Sequence, residues 1–391
     1  MTRTPGPGGL VRYVFAATLV RSADGGAVVA VVLLAQASGL SPLLAGLMGA
    51  SITAPHLLGP FISRRLDTSP DGRRVIAFSA AAHGLLLGAA GLLLGATWPI
   101  VPAALLIVSG LFGPMLTGGI SSRLPSIAGP SQTSQRRAQS WDVASYGLSG
   151  TLGPAVVAWI ATSWSPLAAT LVLAIAAIVG SGAVLLLPRQ APPSAAGEVP
   201  SPGRTLRIIL RSGALRRTLM LTIVVAFSVA ALPIYAVAVA PGFGGAELAG
   251  LLVAGYGIGN LVGSGALMIR PLRGNADVLT GVLALVVAGT LGIMLAPQSA
   301  ALSAIAFAVA GAGNALFFAA TLAARSEFAP AEARGQVFIW VGALKIAAGS
   351  AGTATAGALI TFGASVPVAA FAVLTALVGV WCVVEHRVGR G

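Results

Sequence analysis

The sequence predicts an all-α integral membrane protein: twelve transmembrane helices in two parallel six-helix repeats, with both termini cytoplasmic. Three observations carry this. The 391 residues are 56% hydrophobic and only 8% charged, with a mean hydropathy of +0.92, whereas soluble domains carry about 25% charged residues. The apolar residues fall in twelve runs, each near the length of about 20 residues that a spanning helix needs. Of the 23 Lys and Arg, all but Arg21 and Lys345 lie in the termini, at the first turn of segment 1 (Arg12) or in alternate loops, while the remaining loops carry none. That is the positive-inside pattern. The same asymmetry argues against a nucleic-acid partner despite the net charge of +13.

In order, the segments are residues 10–37, 42–63, 75–96, 100–121, 141–162 and 166–187, then 218–240, 246–268, 277–296, 299–322, 336–362 and 366–384. Segment 1 follows basic residues as a signal peptide would. It is too long for one and is interrupted by Arg21 and Asp24, so it reads as a retained span. The loops without arginine (38–41, 97–98, 163–165, 241–245, 297–298 and 363–365) are assigned to the outer side. Trp98 and Trp164 suit its interfacial belt. The arginine-bearing loops are assigned to the cytoplasm.

The longest loop, 188–217, separates six segments from six. This gives an N-terminal bundle (1–187), a cytoplasmic linker (188–217) and a C-terminal bundle (218–391). The first part of the linker is rich in Pro, Ser, Ala and Gly. Residues 205–215 are basic and apolar by turns, as in a short interfacial helix. The halves resemble one another. Ala45-Gly46-Leu47 followed by His56-Leu57-Leu58-Gly59 matches Ala249-Gly250-Leu251 followed by Asn260-Leu261-Val262-Gly263. Arg137-Ala138-Gln139-Ser140-Trp141 matches Arg334-Gly335-Gln336-Val337-Phe338. Six spans per repeat preserve orientation, so the repeats are parallel.

The residues that call for explanation are charges inside segments. Each charge at the centre of a spanning helix costs about 2.5–3.5 kcal/mol on insertion scales. Arg21 and Asp24 lie near the middle of segment 1. Their i,i+3 spacing puts them on one face, where they can pair. Asp24 is the first candidate for a proton- or cation-binding group, since burial raises a carboxyl pKa and a neighbouring arginine lowers it. The competing reading is a static ion pair that fixes packing. Cys382 is the only cysteine and says nothing of redox compartment. No metal-ligand spacing, phosphate loop or nucleophile triad is visible, so neither an enzyme nor a resident cofactor is expected.

Twelve spans as six plus six, with a basic central loop, resemble the major facilitator superfamily over essentially the whole chain. The text of segments 1 and 5 and loop 4–5 is similar to bacterial, actinobacterial-type drug and metabolite exporters. The loop 2–3 motif of the family, G-x-x-x-D-[RK]-x-G-[RK]-[RK], begins here at Gly59. Ser63 stands at its acid, followed by Arg64; Asp67 and then Asp71-Gly72-Arg73-Arg74 supply acids and a basic end. The resemblance implies that this loop holds an inward gate through charge and helix-end contacts, with Asp67 as the substitute acid; alternatively the arginines only set topology. In segment 5, Gly147, Gly150, Gly153 and Pro154 are similar to the antiporter motif G-x-x-x-G-P-x-x-G-G, with Ser149, Val157 and Ala158 at three of its glycines. Small residues there permit close helix approach. Proton-coupled exporters carry an arginine inside helix 4; none lies between Ile100 and Ser121 here, and Arg21 is the available cation.

In the family, helices 1, 4, 7 and 10 line a central cavity, helped by 2, 5, 8 and 11. That filter adds His56, a residue type that titrates near neutral pH, to Asp24 and Arg21 as coupling candidates. Asn260, at the position of His56 in the second repeat, joins Asn314, Tyr146 and Lys345 as cavity candidates. Lys345 either binds an anionic group or snorkels to the interface. His83, on peripheral helix 3, reads as a packing residue. Asp142 reads as a helix-start acid at the cytoplasmic surface, and Pro233 as a kink.

The resemblance implies a multi-pass transporter of the bacterial inner membrane that rocks two halves about a midplane cavity. It would export a small, partly hydrophobic compound in exchange for protons, as a monomer, with lipid and substrate as its partners. An uptake permease, or a sensor or assembly protein without transport, are the alternatives.

Overall fold

The computed structural model describes residues 7–190, 199–245, 248–296 and 299–388. Among these described residues, twelve helical spans are long and apolar enough to cross a membrane. They are α1 (Gly8–Ala37), α2 (Leu43–Thr68), α3 (Gly72–Leu93), α4 (Ile100–Ile127), α5 (Gln132–Ser163) and α6 (Pro166–Leu185). The second set is α7 (Gly213–Phe243), α8 (Leu248–Ile269), α9 (Ala276–Ile293), α10 (Ala300–Phe328), α11 (Ala331–Phe362) and α12 (Val366–Arg387). A helix satisfies all its backbone hydrogen bonds internally, which the hydrocarbon core demands. Side-chain caps close several starts: Ser41 before α2, Asp71 before α3, Ser165 before α6, Asn275 before α9 and Ser299 before α10. Large apolar side chains such as Phe78 and Ile269 stay exposed, as a lipid-facing surface requires.

Several spans run five or six residues further into the arginine-bearing loops than the sequence expectation, and two other differences are larger or change a reading. α5 begins at Gln132, and its first turns are polar (QTSQRRAQS), so hydropathy alone starts it too late. Asp142 therefore sits in the helix interior and is 1% exposed, not at a helix start. The interfacial helix expected over 205–215 is Pro202–Arg211, and the chain turns at Ser212 into α7. The first half of the linker falls largely on residues 191–198, outside those described, as do residues 297–298 of the loop between α9 and α10.

Three spans are interrupted. α2 tightens into a 3₁₀ turn over Ala54–Leu58, where Pro55 breaks the ladder. α4 turns at Leu111–Phe112, passes Gly113-Pro114 and widens into a π turn over Met115–Gly119. α7 breaks before Leu232–Val239, with Pro233 in the first turn of that second piece.

The chain forms two compact units. Unit 1 contains Met1–Pro130, Ser145–Thr205 and Pro330–Ala343. Its core joins Ala27, Val31, Ile52, Leu87, Leu106 and Leu173. Unit 2 contains Ser131–Ala144, Leu206–Ala329 and Leu344–Gly391, around Leu221, Val287, Phe307 and Phe317. Each unit thus takes most of its chain from one sequence half and the start of one helix, α5 or α11, from the other.

Candidate functional site

The interruptions of α2 and α4 meet α1 at Asp24. His56 lies in the 3₁₀ turn of α2 and sets its Nε2 3.2 Å from Asp24 Oδ1. The two side chains are only 4% and 12% exposed. This approach depends on glycine in α4. A Cβ on Gly113 would lie 2.1 Å from His56 Nε2 and 2.7 Å from Asp24 Oδ1. One on Gly110 would lie 2.2 Å from the Ile52 carbonyl oxygen, and one on Gly59 2.4 Å from Pro114. An acid and an imidazole held together away from water can exchange and store a proton.

The expected pairing of Asp24 with Arg21 is not what forms. Asp24 turns to His56. Arg21, 1% exposed, donates to Ser145, to Ser121 Oγ at 2.8 Å and to the Thr117 carbonyl at 3.4 Å. Its guanidinium lies 3.7 Å from the centre of the Tyr146 ring, and the Tyr146 hydroxyl meets Ser121 at 3.3 Å. Successive residues are 100° apart on a helix, so an i,i+3 pair diverges when better partners stand on separate neighbours.

In α5, the expected close approach occurs at Gly153, whose added Cβ would meet Ser22 O of α1 at 3.8 Å, and at Gly25 of α1, opposite Ser149 O at 3.3 Å. It does not occur at Gly150, which has nothing within 4 Å. Gly147 is buried, and Pro154 stays inside the helix.

The loop 2–3 residues do several different things. Gly59 takes the close contact with Pro114. Ser63, at the position of the acid of the motif, caps back on Pro60 O at 2.7 Å. Asp67, 3% exposed, accepts from the Gly335 amide at 3.1 Å and the Gln336 amide at 3.0 Å. It therefore covers the positive start of α11. Asp71 receives Arg73 through Nε at 2.9 Å and Nη2 at 2.8 Å. Those bonds hold its carboxyl below the usual carboxylate range. Gly72 leaves room for Arg123, whose guanidinium carbon would lie 2.5 Å from an added Cβ and whose Nη2 bonds Leu66 O at 2.9 Å. Arg64 donates to Val199 O at 3.3 Å, and Arg74 lies 4.0 Å from Asp71.

In unit 2, Asn260 and Asn314 are half-buried on α8 and α10. Lys345 Nζ lies 3.9 Å from the centre of the Phe318 ring. Sequence reasoning missed two clusters. In unit 1, His83 meets Ser109. In unit 2, Asp277 gathers Arg217 (Nε 3.0 Å) and His386 (Nδ1 2.7 Å), while Glu385 takes Arg216. These five residues and Arg211 line a cleft of about 760 Å³. The signal for the second cluster was available as Arg217, Asp277 and Glu385-His386, all at span ends, but their meeting is tertiary. Among the described residues no group of three or more His, Cys, Asp or Glu is arranged to hold a metal ion.

The family model described as Major Facilitator Superfamily matches residues 13–275. No curated relative matches in sequence. Among solved structures, the chain resembles the human organic anion transporter MFSD10 (TETRAN), with a TM-score of 0.73 at 15% identity, covering 96% of this chain and 100% of that one. It resembles the proton:xylose symporter XylE with a TM-score of 0.70 at 13% identity, covering 96% and 95%. It also resembles a bacterial homologue of the iron transporter ferroportin, with a TM-score of 0.69 at 15% identity, covering 95% and 98%. Identities this low speak for the fold and not for a substrate. The family match over most of the chain, joined to twelve apolar spans, makes this a multi-pass membrane transporter and not an enzyme: the chain belongs to the major facilitator superfamily.

Proposed function

We propose that the protein is a proton-coupled secondary transporter that exports a small, partly hydrophobic compound by alternating access, with Asp24 and His56 as the coupling pair. The observation that carries this is the buried pair itself. An acid and an imidazole stand 3.2 Å apart where two helices lose their regular ladder together, and intramembrane ionisable groups at broken helices are the recurring form of ion sites in transporters. Arg21, caged by Ser121, Ser145 and Tyr146, supplies a fixed positive charge one turn away on α1. Export is supported by the scarcity of charge inside the spans and by the Gly153-Pro154 element of α5. The setting is the inner membrane of a bacterium, and the working form is a monomer in lipid, with the proton gradient as its energy source and no cofactor.

Uptake by symport is the second reading. It is favoured by the likeness in fold to the proton:xylose symporter and to the fucose:proton symporter of E. coli.

The test is compound accumulation in pump-deficient bacteria, comparing wild type, Asp24→Asn and empty vector at equal membrane expression across a panel of antibiotics and dyes. Export predicts lower accumulation of some compound, lost with a protonophore and lost in Asp24→Asn. Higher accumulation in wild type than in empty vector supports uptake instead. Equal accumulation of every compound overturns the export reading.

A further inference from the structure

The cleft at one end of unit 2, about 760 Å³, falls within the range of about 300–1,000 Å³ typical of small-molecule sites. It forms where the start of α7 (Arg216, Arg217), the cap of α9 (Asn275) and the last two turns of α12 (Trp381, Glu385) meet, beside Arg211 at the end of the helix Pro202–Arg211. Both carboxylates of the lining are already held: Asp277 by Arg217 and His386, Glu385 by Arg216 and Arg217. Three arginines face these two acids, so one positive charge is left over. Arg211 is exposed and enters no ion pair among the described residues. Arg216 gives one N–H to Glu385 and one to the Leu210 carbonyl at 3.2 Å, out of five, and its side chain is 34% exposed. Asn275 accepts the Asp277 and Val278 amides at Oδ1, which leaves its NH2 group to donate. Forked cationic donors with a surplus of positive charge are what a phosphate requires. The other wall is apolar. Val373, Leu377, Trp381 and Val384 are all exposed and recur at i, i+4, i+8 and i+11, which makes one stripe of α12. At about 1.5 Å per residue the stripe runs about 16 Å away from the cleft, about half of a hydrocarbon core of about 30 Å.

We propose that this cleft binds an anionic phospholipid, its phosphodiester between Arg211 and Arg216 and one acyl chain along the stripe of α12. A phosphate from solution would meet the arginines and leave the stripe without a role; a lipid uses both. Basic pockets between spans are a recurring form of headgroup site, and Trp381 stands near the end of its span, where aromatic side chains anchor at the interface. Asp24 and His56 belong to unit 1, so the lipid site and the coupling pair can each fail without the other.

Full-length protein, delipidated in detergent, is titrated with phosphatidylglycerol, with phosphatidylcholine of the same chain length and with inorganic phosphate at matched ionic strength, and bound lipid is counted by native mass spectrometry. The expected result is one phosphatidylglycerol held at least about fivefold more tightly than phosphatidylcholine and not displaced by inorganic phosphate. Arg211→Gln weakens it by about fivefold, the effect of one arginine at an anionic surface. Arg270→Gln, at an exposed arginine of the loop before α9 that does not line the cleft, leaves it unchanged. Val384→Glu sets a like charge at the exposed edge of the cleft without removing a bond of the cluster, and it weakens binding too, which keeps the test in force should Arg211→Gln not fold. Equal affinity for the two lipids overturns the proposal, and so does phosphatidylglycerol binding that neither variant moves or that Arg270→Gln weakens as much as Arg211→Gln. Displacement by inorganic phosphate overturns the lipid as the ligand.

Discussion

Gly113→Ala inserts one methyl group between Asp24 and His56 without removing a titratable group. The backbone tolerates alanine there, since Gly113 is not among the glycines at positive φ. The new Cβ would lie 2.1 Å from His56 Nε2, where ordinary contact begins at 3.4 Å, so the imidazole has to move by about 1.3 Å. The Asp24 oxygen, 2.7 Å from the same Cβ, is pushed out to 3.4 Å as well, and the pair opens from 3.2 Å to about 4.5 Å, beyond hydrogen-bond reach. At an effective dielectric of about 20, the attraction of an ionised pair drops from about 5 to about 3.7 kcal/mol, and the hydrogen bond, worth about 1 kcal/mol, is lost. Against this stands a helix-propensity gain of about 1 kcal/mol from glycine to alanine. The net stability cost is about 1.5 kcal/mol; the lost attraction between the charges, also about 1.5 kcal/mol, is by itself close to one pH unit of proton affinity. The assay is the pH profile of transport by the compound found in the accumulation screen, with thermal unfolding in detergent alongside. Gly182→Ala, at an exposed glycine with nothing within 4 Å, is the control. The profile of Gly113→Ala should move by about one unit and its melting temperature should fall, while the control does neither. An unmoved profile with a raised melting temperature would refute the placement of the pair against Gly113.

Gly259→Ala tests packing inside unit 2. Its Cβ would lie 1.8 Å from Ala308 O and 2.7 Å from Ala308 Cα. Backbone cannot swing aside as His56 can, so the overpacking cost should reach about 3 kcal/mol or more, with a larger fall in melting temperature than Gly113→Ala; equal stability to wild type contradicts it. Asp67→Asn keeps at most one of the two amide bonds to the start of α11 and loses the charge. A loss of about 1–3 kcal/mol should raise hydrogen exchange at the Gly335 and Gln336 amides about ten- to hundredfold, and unchanged protection would show that the carboxylate does not hold that helix start. Asp71, held below the usual carboxylate range by Arg73, contributes stability above about pH 4 and loses it as pH falls through its lowered folded value. Wild type and Asp71→Asn should therefore differ in melting temperature at neutral pH and converge in strong acid, whereas a constant difference would contradict the pairing. Reporters fused after Ser163 and after Gln298 should be external, and one within residues 194–201 cytoplasmic; an internal result at either of the first two breaks the assigned topology.

The twelve spans were legible because a bilayer imposes length and apolarity on each of them, and both are properties of local sequence. α5 shows the limit of that signal. Its first turns, Gln132 to Ser140, are polar, and a hydropathy window stops where apolar residues stop. The helix continues because its backbone bonds do not depend on side-chain polarity, and Asp142 passes from helix start to helix interior as a result. The candidate site was half legible. Asp24, Arg21 and His56 stood out because polar groups in apolar spans are expensive. Their pairing did not, because sequence spacing reports only geometry within one helix, while Asp24–His56 and His83–Ser109 each join two helices. Gly113-Pro114 could be read as a break in α4. That the break faces His56 is set by how α2 and α4 meet, which no local pattern encodes. In loop 2–3 the displaced acid was legible as Asp67, and the amides it covers became visible only with the start of α11 in place.

The most direct test of the account is proton movement through the purified protein. Wild type and Asp24→Asn, at matched density in liposomes loaded with a pH-sensitive dye, would be given the exported compound on one side. The account predicts a compound-driven pH change in wild type, abolished in Asp24→Asn although the compound still exchanges across the membrane at equilibrium. A pH change of wild-type size in Asp24→Asn, or transport in wild type with no pH change at all, would contradict it.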